Sequence, residues 1–486
     1  MAGTGELAMI IGEDNVLADK EILQEYSKDF SFARPISPSR IVKPDNTKDV
    51  QGIVRWANET GTPLIPVSSG TPHFYGDTVP GIGGACVVDL STMKRIIRID
   101  RRNRSVMIEP GVTFGELIPA LEKEGLAPLM TFLPRASKSV VTSFLERTPI
   151  TIPRHHWEAQ DPLQCVEVIY GNGELMRTGS AAGPGTLEEQ WKVGRAQIRG
   201  MGPSQVDFTR LLQGAQGTMG IVTWATIRCR PLPKVKKSYL VVSNDIKPLI
   251  ELVYKITYKK LGEELLIMNK TQLASVVGKE SSSIETLNGR PEWILYFSIE
   301  GDGLFPEDKV AYQEKESIKL ARELGLELET ELPGLRAEDL SAVLSRPSRA
   351  PYWKLEPKGG NQDIFFLTTL DRSLRFVDMM YELAEKYGYA SKNIGIYIQP
   401  TIQGCNCHLE FSLAYNPKDK PGADAVRHLV TEGGAVLAGM GGFFSRPYGT
   451  WSRFAYDRKG MHVIGQRKLK GIFDPKGIMN PGKLCF

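Results

Sequence analysis

The chain holds 486 residues with a formal net charge of +4, 41% hydrophobic and 24% charged residues, a mixture that excludes a disordered or fibrous chain. At roughly 150 residues per domain it has room for two or three domains with substantial cores. Glycine is the outlier, 48 residues, with the surplus concentrated between positions 61 and 220, where close backbone approach to a ligand or sharp turns are implied.

No run of about 18 apolar residues suggests a membrane span. The first twenty residues lack the basic and apolar regions of a secretory signal. Six cysteines without a CxxC pair read as reduced thiols, so a cytoplasmic location is expected. The basic runs at 234–237 and 466–470 are short, and nucleic acid is not an expected partner. Cys405-Asn406-Cys407-His408 has no second half with ligand spacing, so no metal site is expected.

In chain order, residues 40–44 read as a short strand stopped by Pro44. Asn46 is a cap-type residue, and Val50, Ile53, Val54 and Ala57 recur at helical spacing up to Gly61. Residues 63–67 form an apolar strand that runs into Ser68-Ser69-Gly70-Thr71-Pro72. Strands follow at 86–90, 96–99 and 105–110, and then an amphipathic helix from Phe114 towards Gly125. Residues 165–178 carry a hairpin signal at Gly171-Asn172-Gly173. A polar, glycine-rich loop is expected from 180 to 203, and a strand at 221–227. From Lys234 the elements lengthen, which predicts an α+β second domain of two similar sheet-plus-helix halves. The last residues, 473–483, read as a tied-down Pro-Gly loop.

Two loops carry chemistry. Residues 66–76 follow a strand with small and hydroxyl-bearing residues whose N–H groups can nest a pyrophosphate; a plain surface turn fits the same composition. Residues 213–223 place three glycines before a β-rich run, where a ligand can lie on the main chain; a bulged hairpin fits as well. No GxGxxG or GxxxxGK[ST] follows a strand, so a dinucleotide site is neither Rossmann nor P-loop.

Together these two loops and the 473–483 segment resemble the flavoprotein family of vanillyl-alcohol oxidase and p-cresol methylhydroxylase. The resemblance covers about residues 41–233 and 442–483 and is weak between them, mainly at 351–355. It implies FAD and a PCMH-type α+β fold. The FAD-binding domain would span 1–233 and a substrate-binding cap 234–441, with 442–486 returning to the first domain. It places Val67, Ser68, Ser69, Gly70, Thr71, Pro72, Tyr75 and Gly76 around the pyrophosphate. Ser139 and Thr142 would contact the flavin, although the family has glycines where Ser137, Lys138 and Thr142 stand. Gly217, Gly220 and Val222 would line it, with Lys483 in the returning segment. Tyr75 and Arg446 would face a substrate oxygen, and His155 stands where relatives carry an acid near flavin N5, which makes it the expected general base. His73 and His408 are the possible covalent flavin anchors; tight non-covalent FAD is the expected state.

Bland alternatives stand beside these roles. Arg446 also reads as a domain-interface ion pair, Tyr75 as packing under its loop, and His408 as an ordinary strand residue. The activity implied is oxidation of an alcohol or para-alkylphenol by hydride transfer to FAD. A D-2-hydroxy-acid dehydrogenase, or a flavin-binding subunit with little activity of its own, are the alternatives. The partners implied are a small-molecule substrate, an electron acceptor (oxygen, a cytochrome or an electron-transfer flavoprotein) and further subunits in a homo- or hetero-oligomer.

Overall fold

The computed structural model describes residues 2–155, 161–202, 206–278, 291–401, 406–456 and 460–486. Its first half holds two sheets. One has four strands, ordered Val16–Leu17, Arg40–Val42, Cys86–Asp89, Leu64–Val67, parallel except at its first pair. The crossover helix Thr47–Thr60 is started by Asn46, whose side chain accepts from the N–H groups of Lys48 and Asp49, and ended by Gly61 at φ 68°. Val50, Ile53, Val54, Trp56 and Ala57 form its buried face. The second sheet is antiparallel and centres on Gly220–Pro231, the long strand that pairs with Ser105–Ile108 on one side and Leu163–Tyr170 on the other.

The central part, residues 235–415, forms one six-stranded antiparallel sheet. Its order is Val235–Ser243, Trp293–Gly301, Leu265–Asn269, Ile394–Pro400, Asn406–Tyr415, Gly360–Thr369. The first three strands and the last three come from the two halves of the segment. They meet at two residue pairs, Ile267 with Ile398 and Met268 with Tyr397. Helix Ile246–Tyr258 serves the first half and helix Ser373–Lys386 the second. The largest apolar core lies beneath this sheet.

The C-terminal helix Met461–Phe473 leads into a turn-rich segment that returns to the first sheet, where Met479 bridges to Leu64. One stretch departs from the sequence reading. Residues 180–203 are not all loop, because helix Leu187–Lys192 forms behind a capping box in which Thr186 and Glu189 satisfy each other's backbone N–H. Among the described residues no helix is long and apolar enough to cross a membrane.

Candidate active site

Two adjoining cavities are present, the first lined by residues 66–222 with Tyr448 and the second also by residues of the central sheet. The first encloses about 1040 Å³ and is walled by residues 66–69, 73–75, 214–217 and 219–222, with the helix Val140–Leu145 on one side. The second encloses about 700 Å³ and is roofed by side chains from the central strands. Phe74, Tyr75, Arg135, Lys138 and Glu146 line both, so the cavities share a wall.

The first cavity is built by backbone that only small residues allow. Gly214 and Gly217 sit at φ 70°, and a Cβ on Gly217 would lie 2.4 Å from Cγ of Pro66. Ser69 Oγ accepts from the Ser139 N–H at 3.0 Å and keeps its own O–H free to donate, and the Ser68 and Thr142 hydroxyls bond each other. Leu90, Val141, Leu145, Leu212 and Met219 line the same cavity. Hydroxyl groups and glycine backbone beside a broad apolar wall suit a dinucleotide that joins phosphates to flat rings.

The C-terminal segment locks this cavity. Asn480 Nδ2 donates to the carbonyls of Asp77 and Gln216, at 3.0 and 2.7 Å, and so ties the two loops together. Lys483 Nζ donates to the carbonyls of Gly76 and Val79. The buried Lys470 holds Asp474 and the carbonyls of Thr218 and Met479.

Val67, Ser68, Ser69, Tyr75, Thr142, Gly217, Gly220 and Val222 line the first cavity, as does His73, whose ring is kept neutral by burial and by Arg135 and Lys138, its pKa lowered to about 3. Gly70, Thr71, Pro72, Gly76, Ser139 and Lys483 shape it from behind. The Gly70 N–H donates to the Ser137 carbonyl, the Gly76 N–H to Asp29, and Ser139 caps the helix that follows it.

The second cavity is aromatic and charged. Phe74 and Tyr352 contact each other at 5.4 Å, Phe132 stacks on Tyr397 at 4.1 Å, and Tyr75 stacks on Tyr448 at 4.6 Å. Tyr75, His408 and Arg446 all surround the Phe365 ring. The two ring centroids lie 5.6 and 5.7 Å away, and the guanidinium carbon 4.1 Å. Arg446 is 6% exposed, and among the described residues no carboxylate pairs with it.

Lys354 is held by Asp363 at 2.7 Å and Glu410 at 2.6 Å. Burial works against its charge, but the two carboxylates overcome this and keep it protonated. Burial likewise opposes ionisation of Glu410, yet Lys354 and His408 hold it well below the usual carboxylate range. His408 Nε2 lies 3.1 Å from Glu410 Oε2. Beside an ionised Glu410, Nε2 carries the proton and Nδ1 is left as the acceptor. Burial lowers the His408 pKa, so the imidazole is neutral near pH 7. Burial, and then Asp363, raise the Tyr75 pKa, so its hydroxyl stays a donor.

His155 ends the short turn Pro153–His155 and lines neither cavity. The His156-Trp157 part of its motif lies outside the described residues, as does Cys405. A base must come within hydrogen-bond reach of the proton it removes, so the structure brings Tyr75, His408 and Arg446 together and leaves His155 apart. Sequence reasoning missed Lys354, Asp363 and Glu410. A signal was there: Asp363 and Glu410 are acids inside long strands, each two residues from a ring on the same face, Phe365 and His408.

Residues 38–179 match the family described as an FAD binding domain. The chain is similar to the 4-cresol dehydrogenase (hydroxylating) flavoprotein subunit of Pseudomonas putida, 28% identical over 56% of this chain and 50% of that one. It is also similar to the glycolate oxidase subunit GlcD of Bacillus subtilis (strain 168), 24% identical over 99% of this chain and 96% of that one. This is an FAD-linked oxidoreductase with a PCMH-type FAD-binding domain. Its fold matches that of p-cresol methylhydroxylase with substrate bound, at a TM-score of 0.84, 19% identity and coverage of 100% of this chain and 96% of that one. It also matches 4-ethylphenol oxidase from Gulosibacter chungangensis, with a TM-score of 0.79, 20% identity and coverage of 99% and 96%. The chain thus spans half the length of the 4-cresol relative and nearly all of the others. In this flavoprotein the first cavity is the one whose donors and apolar wall fit FAD.

Proposed function

We propose that this flavoprotein oxidises a phenolic alcohol or para-alkylphenol, held in the second cavity with its ring oxygen toward Arg446 and Tyr75. The observation that carries this reading is the buried guanidinium of Arg446, without a carboxylate partner among the described residues, in one cavity with Tyr75 and walled by aromatic rings. A cation and a donor converging on one point stabilise an oxyanion, and flat walls select a flat substrate. The similarity to a 4-cresol dehydrogenase subunit and the shared fold with a 4-ethylphenol oxidase support the same substrate class.

Bound FAD supplies the two-electron acceptor for a hydride from the substrate carbon. The chain's own residues do the rest. Arg446 and Tyr75 hold the ring oxygen as phenolate, which pushes electron density toward the carbon that loses hydride. For an alcohol, His408 Nδ1 takes the O–H proton while Glu410 fixes the ring through Nε2. The carbon thereby loses a hydride and its oxygen a proton, and the product is an aldehyde. The similarity to GlcD supports the second reading, a 2-hydroxy-acid substrate with Arg446 on its carboxylate. The electron acceptor is a small oxidant or a partner protein such as a cytochrome, and the FAD is held without a covalent bond.

The ionisation of a bound product tests the role of Arg446. 4-Hydroxybenzaldehyde titrated into the FAD-loaded protein below its free pKa should show the phenolate absorption. The Arg446→Met variant should show the neutral phenol. A neutral phenol in both proteins contradicts the proposal.

A further inference from the structure

The second cavity is lined by four cations, Arg135, Lys138, Lys354 and Arg446, and three carboxylates, Glu146, Asp363 and Glu410. Lys138 is paired with Glu146 at 2.6 Å, and Lys354 holds both remaining acids. Two guanidinium groups are therefore left over. Arg446 lies against Phe365, and Arg135 against Phe74 at 5.9 Å.

Arg135 is held in position from both domains. Its Nη2 donates to the Gly70 carbonyl at 3.0 Å. The adjoining backbone is clamped to the central domain: the Ala136 N–H donates to the Ser348 carbonyl, and the Ser348 N–H to the Pro134 carbonyl, at 2.8 and 2.7 Å. Its Nε is buried without a hydrogen-bond partner, and among the described residues no carboxylate lies within ion-pair distance of the group. A desolvated cation in that state is costly unless something neutralises it. Burial indeed works against its charge.

We propose that Arg135 is an anion subsite, so that the substrate carries a carboxylate, or a group of like charge, in addition to the oxygen that Arg446 faces. This rests on the reading of the second cavity as the substrate site. It narrows that reading from phenols in general to phenols with an acidic substituent. A guanidinium offers a planar fork that matches a carboxylate edge-on.

A pair of non-oxidisable probes of equal shape tests it by calorimetry on the FAD-loaded protein, with no turnover involved. These are 4-hydroxybenzoate and 4-hydroxybenzamide, which share their shape while the amide lacks the charge and carries N–H donors in place of one oxygen. The wild type should bind the benzoate at least about tenfold more tightly, the worth of one charge-assisted hydrogen bond. Arg135→Gln, which can still donate to Gly70, should bring the ratio to within about twofold and leave the amide affinity little changed. Arg135→Met is a second neutral variant with the same expectation. Arg135→Lys should keep a preference of the same sign. Equal affinity of both probes for the wild type overturns the subsite and leaves the phenol reading standing. A preference that survives both neutral variants places the carboxylate elsewhere and overturns it too. Failure of both probes to bind overturns the subsite together with the reading on which it rests.

Discussion

Glu410 decides what its neighbours can do. Kept ionised by Lys354, it takes the Nε2 proton of His408 as a hydrogen bond and leaves Nδ1 as a base. The His408 pKa is lowered by burial from an ordinary value of 6.5. A group depressed in the folded protein keeps its base form above that ordinary value and loses it as pH falls through the folded one. The acid limb of kcat/KM for an alcohol substrate should therefore lie below pH 6.5. His408→Asn should lower kcat by about 10²–10⁴, the usual range for a lost general base, and abolish that limb. An unchanged limb in His408→Asn contradicts the assignment. His73 is neutral over the working range, with its pKa near 3, and sits in the wall of the first cavity. With FAD held non-covalently, acid precipitation should give a colourless protein pellet and a yellow supernatant; a yellow pellet assigns a covalent anchor.

At the scale of the element, the first cavity depends on loops that are held from outside. Residues 214–222 approach residues 66–69 so closely that Gly217 has no room for a side chain, and its φ of 70° would strain one in any case. Gly217→Ala should destabilise the protein by about 1–3 kcal/mol and lower the FAD content after purification, as read by the ratio of flavin to protein absorbance. Full FAD content at unchanged stability would show that the approach of the two loops does not matter. These glycines were legible in the sequence because a loop that must come close to a ligand or a neighbouring loop has few residue types to choose from. The helix at 47–60 was legible for a similar local reason, its Asn46 and Gly61 caps lying either side of an apolar stripe. The short helix Leu187–Lys192 was hidden by its surroundings of glycine and polar residues, although its Thr186–Glu189 box was in view.

Across the whole molecule, what sequence could not show is which distant residues share a cavity. Asp363 and Glu410 stand nearly fifty residues apart and Lys354 precedes both, but the central sheet pairs Phe365 with Glu410 and Leu367 with His408 and so brings them to one wall. Arg446 reaches the same wall from the returning segment, and Tyr75 from the first domain. His155 was placed at the site by its neighbours in the sequence, and the fold carries it away from both cavities. The change of composition at Lys234, where loops and glycines give way to longer elements, coincides with the start of the central sheet at Val235. The proposed function assigns FAD to one cavity and a phenolic substrate to the adjoining one. Anaerobic stopped-flow mixing of the FAD-loaded protein with 4-hydroxybenzyl alcohol, and separately with D-lactate, tests that claim most directly. Rapid bleaching of the flavin by the phenolic alcohol and none by D-lactate is predicted; bleaching by D-lactate alone would contradict it.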